Sequence, residues 1–151
     1  MKKNNAIVLL RTHDYENKFA IKDQSQTESV VDNNRIFYFS HSALLDTNEI
    51  LPVMDLLITD YSSISIDFLL CNKPIIYVPY DLENYHRGII LDFNRWTPGD
   101  KVLEFRDFIR AAQEYLDNPE KDSEERERLT EIFHQFRDGR SSERILKLIQ
   151  N

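Results

Sequence analysis

The sequence has 151 residues, 41% hydrophobic and 30% charged, with a formal net charge of −7; this is the size and composition of one globular domain with its own core. The first hundred residues and the remainder are both net acidic, which argues against broad nucleic-acid binding. A single cysteine, Cys71, excludes a disulfide framework and a multi-cysteine zinc site.

The first apolar run, Ala6 to Leu10, is continuous and not alternating, as expected of a strand buried on both faces. It ends in Arg11-Thr12-His13, where Arg11 and His13 would suit an anion. The N-terminus, with Asn4 and Asn5 after two lysines, is not a secretory signal. Residues 14–35 are polar and poorly patterned; Tyr15, Phe19 and Ile21 could form a short helix or a loop, and Gln24 to Asn34 reads as a surface connection. Ile36 to Phe39 is a second strand, aromatic and β-branched. Asp46-Thr47-Asn48 then caps a short helix over Glu49 to Met54, which Pro52 should confine to about one turn.

Asp55 to Phe68 is the most informative stretch. Leu56 to Ile58 is apolar and of strand length. Thr59, Asp60, Tyr61, Ser62 and Ser63 are turn and N-cap residues. Ile64, Phe68 and Leu69 return at helical spacing, predicting a helix from Ser62 to Cys71. A strand that ends in hydroxyls at a helix N-terminus offers free N–H groups and a partial positive charge to a phosphate. The same serines could simply be N-caps, which serine does well. Asp67 lies one turn beyond Ser63 on the same face, where a carboxylate can accept both hydroxyls of a ribose. Cys71 reads as a small buried apolar residue.

Pro74 to Val78 is a fourth strand, with proline at its first position where a missing donor is tolerated. Tyr85 to Gly88 sets His86 and Arg87 beside a glycine, and Arg87 could clamp a phosphate through two parallel hydrogen bonds. Ile89 to Phe93 reads as a short strand or extended lid, Trp96 to Gly99 as a turn, and Lys101-Val102 as a further brief strand. Three helices follow. The first has Phe105, Phe108, Ile109, Ala112 and Leu116 inward; the second, Ser123 to Arg137, has Leu129, Ile132, Phe133 and Phe136 inward and Glu124 to Arg128 solvated; the last has Ile145, Leu146 and Ile149 inward.

Short apolar strands alternating with helices predict an α/β fold, a parallel sheet with helices on both faces. Ligands of such sheets bind outside the carboxyl ends of the strands, which is where Arg11, His13, Thr59 to Ser63 and Pro79 to Asp81 fall. His13 could offset charge building on a phosphate leaving group, as a cation or general acid. Only Gly88, Gly99 and Gly139 occur, so a glycine-rich phosphate loop is absent. There is no acidic cluster of the two-metal type, and no cofactor is expected. No apolar run approaches the roughly 20 residues of a membrane span, and a cytoplasmic protein follows by default.

The segments DLLITDYSSISIDF, KPIIYVPYDLENYHRGIILDF, the Pro98-Gly99 pair and FHQFRDGRSSERI, in this order and spacing, resemble the carboxyl-terminal part of the CDP-glycerol glycerophosphotransferases, the teichoic-acid polymerases and primases. The likeness runs from about Ile7 to Ile149. It implies the Rossmann-like, carboxyl-terminal half of a GT-B architecture, a single donor-binding domain over residues 1–151. It also implies a CDP-glycerol or CDP-ribitol donor and a polyol-phosphate or lipid-linked acceptor, at the inner face of the cell membrane. By the resemblance, His13 belongs to the segment with an essential histidine near the donor phosphates. Thr59, Asp60, Ser62 and Ser63 match the pyrophosphate-binding turn, Asp67 the ribose-holding acid, and Arg87, Gly88, Asp92 and Pro98-Gly99 a family signature. Members carry an amino-terminal acceptor domain with a second histidine as base. Residues 1–151 supply no such base, so turnover is expected to need that domain. Two alternatives remain open: a solitary nucleotide-binding or regulatory module, and the donor domain of a nucleotide-sugar glycosyltransferase.

Overall fold

The computed structural model describes residues 5–11, 35–38, 46–85 and 91–150. The chain forms two compact units, Met1–Glu49 and Ile50–Asn151.

In the first unit β1 (Val8–Leu10) pairs in parallel with β2 (Ile36–Tyr38), Val8 opposite Ile36 and Leu10 opposite Tyr38. The Val8 N–H donates to the Arg35 carbonyl at 2.8 Å. The Arg35 side chain reaches back to Ala6 O and Asn5 Oδ1, and so closes the entry to the pair. A single 3-10 turn follows at Thr47–Glu49, with Asp46 Oδ1 accepting from the Asn48 N–H as a local cap.

The second unit opens with another 3-10 turn, Leu51–Val53, with Pro52 in its first turn, where a missing N–H costs nothing. β3 (Leu57–Thr59) and β4 (Ile75–Tyr77) are parallel, Leu57 opposite Ile75 and Thr59 opposite Tyr77. Between them α1 (Ile64–Phe68) tightens into a 3-10 turn over Leu69–Cys71 and stops at Asn72, whose φ of 47° is left-handed. Lys101 bridges Tyr77 in parallel, with Tyr77 N–H to Asp100 O and Val102 N–H to Tyr77 O both at 2.9 Å. The expected brief strand at Lys101-Val102 is thus a one-residue extension of the sheet. The other helices are α2 (Phe93–Trp96), α3 (Phe105–Asp117), α4 (Ser123–Phe133) and α5 (Ser141–Gln150).

β4 is buried along its whole length, and its side chains alternate between two cores. Ile75 and Tyr77 join Leu51, Phe68, Leu69 and Leu129, with Trp96 and Phe133 packed against them, so α1 and α4 cover that face. Ile76 joins Val102, Ala111 and Tyr115 under α3 on the other. Helices therefore lie on both faces of this parallel sheet, as the continuous apolar run of β4 requires. Each fully buried Phe, Leu or Ile in these cores contributes on the order of 1.5–3 kcal/mol.

Pro98-Gly99 leads into the sheet extension, and Gly99 has φ +107°. A Cβ there would stand 2.2 Å from the Ile75 carbonyl oxygen. Only glycine lets the chain pass this close behind β4. The Tyr115 hydroxyl fixes the same turn, accepting from Asp100 N–H at 3.0 Å and donating to Asp122 Oδ2 at 2.5 Å.

Several helix faces differ from expectation. In α3 the inward residues are Phe108, Ala111, Ala112 and Tyr115, while Phe105 and Ile109 are mostly exposed; the close approach of the helix to Ile76 favours alanines at the contact. In α4 Ile132 is half-exposed and Arg126 is 1% exposed, so Arg126 does not belong to the solvated face. It donates to Asn72 Oδ1 (3.1 Å), Lys121 O (2.5 Å) and Pro119 O (2.9 Å), and these three acceptors satisfy a buried guanidinium. The apolar residues of α5, Ile145, Leu146, Leu148 and Ile149, are all more than half exposed. Among the described residues, no helix is long and apolar enough to cross a membrane.

Candidate functional site

The carboxyl end of β3 turns sharply into α1, and local hydrogen bonds explain why. Asp60 Oδ1 accepts the Ser62 N–H at 2.7 Å, a side-chain-closed turn of the kind aspartate favours. Ser62 O then accepts both the Ser65 N–H (3.3 Å) and the Ser65 hydroxyl (3.0 Å), and Ser63 O accepts the Ile66 N–H (2.9 Å), which starts the helix. Thr59 O accepts the Val78 N–H and keeps the turn at the sheet edge.

The two serines do not behave as strong N-caps. Ser63, at the N-cap position, has helical φ/ψ and makes no side-chain cap bond. The Ser62 hydroxyl accepts from Ile64 N–H only at a long 3.4 Å. Both serines are exposed, whereas Thr59, Asp60, Tyr61 and Asp67 are half-buried. The arrangement therefore leaves two exposed serines at the amino end of α1. The Ser62 N–H, expected as a phosphate donor, is instead held by Asp60.

Tyr61 ties this turn to its neighbour. Its hydroxyl donates to Asp81 Oδ1 at 2.7 Å across the ends of β3 and β4, and its ring lies 4.1 Å from that of Tyr85, tilted by 40°. Burial, then the adjacent Asp81 carboxylate, pushes the Tyr61 phenol well above its ordinary range. The sequence offered a signal for this cross-tie in Asp81 two residues after Pro79 at a strand end, but the pairing itself needed the fold.

Behind the turn, α4 and the residue that follows it reach α1 and the 3-10 turn at its end with three side chains. Arg126 Nε donates to Asn72 Oδ1, the Thr130 hydroxyl lies between Arg126 O (2.7 Å) and Leu69 O (3.1 Å), and His134 Nε2 lies 2.7 Å from Ile66 O. The sequence gives no sign of these contacts at Thr130 and His134, because side chains that serve carbonyls leave no pattern in hydrophobicity.

Of the residues expected at the site, Thr59, Asp60, Ser62, Ser63 and Asp67 lie together on the β3–α1 turn, with Asp67 four residues beyond Ser63. Arg11 follows β1 in the first unit and is half-buried. His13, Arg87 and Gly88 lie outside the described residues. Asp92, part of the expected signature, is the N-cap of α2: its carboxylate accepts from Asn94 N–H (3.1 Å) and Arg95 N–H (3.2 Å). The expected strand or lid over Ile89 to Phe93 is therefore corrected at its carboxyl end, where Phe93 is already helical; Ile89 and Ile90 lie outside the described residues. Among the described residues no cluster of three or more His, Cys, Asp or Glu side chains could hold a metal ion.

Comparison with known proteins bears on the family and the fold. The family model described as CDP-Glycerol:Poly(glycerophosphate) glycerophosphotransferase matches residues 1–151. The chain is 31% identical over 147 residues to the teichoic acid ribitol-phosphate polymerase TarL of Staphylococcus aureus, covering 96% of this chain and 24% of that protein. It is 32% identical over 123 residues to the teichoic acid poly(glycerol phosphate) polymerase of Bacillus subtilis, covering 75% of this chain and 16% of that one. Among solved structures it is similar to the wall teichoic acid polymerase TagF, with a TM-score of 0.62 at 24% identity over 95% of this chain and 34% of TagF. A TagF variant soaked with CDPG is similar to the same degree, with a TM-score of 0.61. The α/β fold with parallel strands is that of the matching part of TagF. The chain spans about a quarter of the length of TarL.

Proposed function

This chain belongs to the CDP-glycerol:poly(glycerophosphate) glycerophosphotransferase family, and from that premise we propose that it is the donor-binding part of an enzyme transferring an alditol phosphate from a CDP-alditol to a teichoic-acid-type acceptor. The observation that carries the reading is the β3–α1 turn, which holds two exposed serines at a helix start with Asp67 one turn on. Ser62 and Ser63 hold the diphosphate, and Asp67 accepts from the ribose hydroxyls. Arg11, Arg87 and Gly88 complete the anion site. The acceptor hydroxyl oxygen bonds to the β-phosphorus, the bond from that phosphorus to the bridging oxygen breaks, and CMP leaves with the electron pair. His13 offsets the charge growing on the departing phosphate. The proton of the acceptor hydroxyl passes to a base supplied by an amino-terminal acceptor domain.

In this reading residues 1–151 form one nucleotide-binding domain, the carboxyl-terminal half of a GT-B enzyme, and the whole enzyme works at the inner face of the membrane on a lipid-linked or polyol-phosphate acceptor. The test is calorimetric binding of CDP-glycerol, CDP-ribitol, CMP and UDP-GlcNAc to the chain, repeated with Ser63→Ala and His13→Ala. The cytidine compounds should bind best. Ser63→Ala should weaken them by roughly 1–3 kcal/mol by leaving phosphate oxygens unpaired. Unchanged affinity in both variants would sink the site. Preference for the uridine compound would point to a nucleotide-sugar transferase, and robust turnover by the chain alone would refute the need for a second domain.

A further inference from the structure

Arg126, Thr130 and His134 are spaced four residues apart along α4, so they form one polar stripe on one face of that helix and the residue that follows it. Opposite them, three residues apart, stand Asn72, Leu69 and Ile66. The stripe is deeply placed: Arg126 is 1% and Thr130 6% exposed. A carbonyl oxygen only accepts, so at 2.7 Å from Ile66 O the His134 Nε2 carries the proton and donates it. Asn72 answers from the other side, donating through Nδ2 to Glu127 Oε1 at 3.0 Å.

α1 has five residues, too few to persist as a helix by itself. At its end the Ile66 carbonyl accepts from the Leu69 N–H and the Leu69 carbonyl from the Asn72 N–H, and the stripe adds a second contact to each, from His134 to Ile66 O and from Thr130 to Leu69 O. The Ile66 carbonyl is the informative one. It shares a rigid peptide plane with the nitrogen of Asp67, so holding Ile66 O fixes the direction in which Asp67 leaves the helix. One residue earlier, Ser65 is buried and its hydroxyl binds Ser62 O, so the same stretch of backbone is fastened to the turn that carries the serines.

We propose that His134 is a positioning residue for the donor site: through the Ile66 carbonyl it sets the orientation of α1, and with it Asp67 and the Ser62–Ser63 turn. The role rests on the donor-site reading given above. His134 does not touch the nucleotide.

The experiment measures CDP-glycerol affinity and backbone amide exchange over residues 63–69 in the unmodified chain and in His134→Ala, His134→Asn and His134→Gln. A glutamine amide is long enough to donate to Ile66 O, and an asparagine amide is too short. Loss of one hydrogen bond predicts affinity about three- to tenfold weaker in the alanine and asparagine variants, with faster exchange at 66–69. The glutamine variant should return to within about twofold of the original. If the alanine variant does not fold, the asparagine–glutamine contrast decides. Unchanged affinity in a folded alanine or asparagine variant overturns the proposal while leaving the donor site standing. So does equal loss in the glutamine and asparagine variants, which would mean that the imidazole acts by itself. An unmodified chain without affinity for CDP-glycerol overturns the donor reading and this proposal together.

Discussion

The Tyr61 hydroxyl donates to Asp81 Oδ1 at 2.7 Å and so joins the turn after β3 to the turn after β4. Tyr61→Phe removes one hydrogen bond and leaves a part-buried carboxylate oxygen without its donor. The expected cost is about 1–2 kcal/mol in stability, with weaker CDP-glycerol binding because the adjacent Ser62 loses its anchor. Denaturant unfolding and calorimetry on the same variant check both halves. Retained binding would show that Asp60 holds the turn unaided.

Three tyrosines resist ionisation, so alkaline pH should unfold the protein. Burial pushes Tyr77 up to about 12 from 10.0, against the nearby Ser65 hydroxyl, which works the other way. Burial, then their partner carboxylates, also raises Tyr61 and Tyr115. Above pH 10 the unfolded chain gives up phenol protons that the folded chain keeps. The unfolded state then binds fewer protons, and stability falls as pH rises. The contribution is fully present below pH 10 and, for Tyr77, is lost between about 10 and 12. Phenolate absorbance during a pH titration should show part of the tyrosine signal appearing only with loss of helical circular dichroism.

Gly99→Ala should be among the most damaging single changes. The new Cβ would meet Ile75 O at 2.2 Å, and φ +107° is strained for any side chain. A loss at or beyond the upper end of the usual range of about 0.5–3 kcal/mol is expected, read as a fall in the urea midpoint. Gly139→Ala has space around it but the same left-handed strain at φ +69°, so it should cost about 1 kcal/mol.

Arg126→Leu should destabilise by about 3 kcal/mol or more, since it strands the Asn72, Lys121 and Pro119 oxygens. Arg126→Lys should recover little of this, because an ammonium lacks the planar fork that serves several acceptors at once. Near-native stability in the lysine variant would contradict that geometry.

Core and surface leucines should separate cleanly. Leu129, 0% exposed, should cost about 2–5 kcal/mol as alanine. Leu148, 78% exposed, should stay within about 0.5 kcal/mol. A large effect at Leu148 in the isolated chain would mean that α5 is covered in solution.

The strands were readable because burial on both faces leaves a continuous apolar signature, as at Ile75-Ile76-Tyr77. The β3–α1 turn was readable because turn chemistry is local: Asp60 closing on Ser62 uses residues two apart. Helix faces were less so. Ranking by hydrophobicity places Phe105 and Ile109 inward, whereas contact with Ile76 requires alanines and a tyrosine with a hydroxyl partner at Asp122. The run of charges likewise reads Arg126 as solvated, since nothing in it reveals that Asn72, 54 positions earlier, will accept a hydrogen bond from it. Within the candidate site, Thr59, Asp60, Ser62, Ser63 and Asp67 fell together because they are sequence neighbours. The Tyr61–Asp81 tie and the His134 contact join distant segments, and only the tertiary fold could bring them into view.

The polar stripe of α4 also constrains when the candidate donor site can take shape. Ile66 and His134 are 68 positions apart, and a five-residue helix cannot hold its form without such distant support. During synthesis, β3 and the Asp60–Ser63 turn leave the ribosome long before their support exists. They are expected to gain protection from amide exchange only once the chain past His134 has emerged. Nascent chains arrested before Ser123 should therefore show this stretch as exchange-competent as an unfolded peptide, while chains arrested well past Phe133 should show it closed.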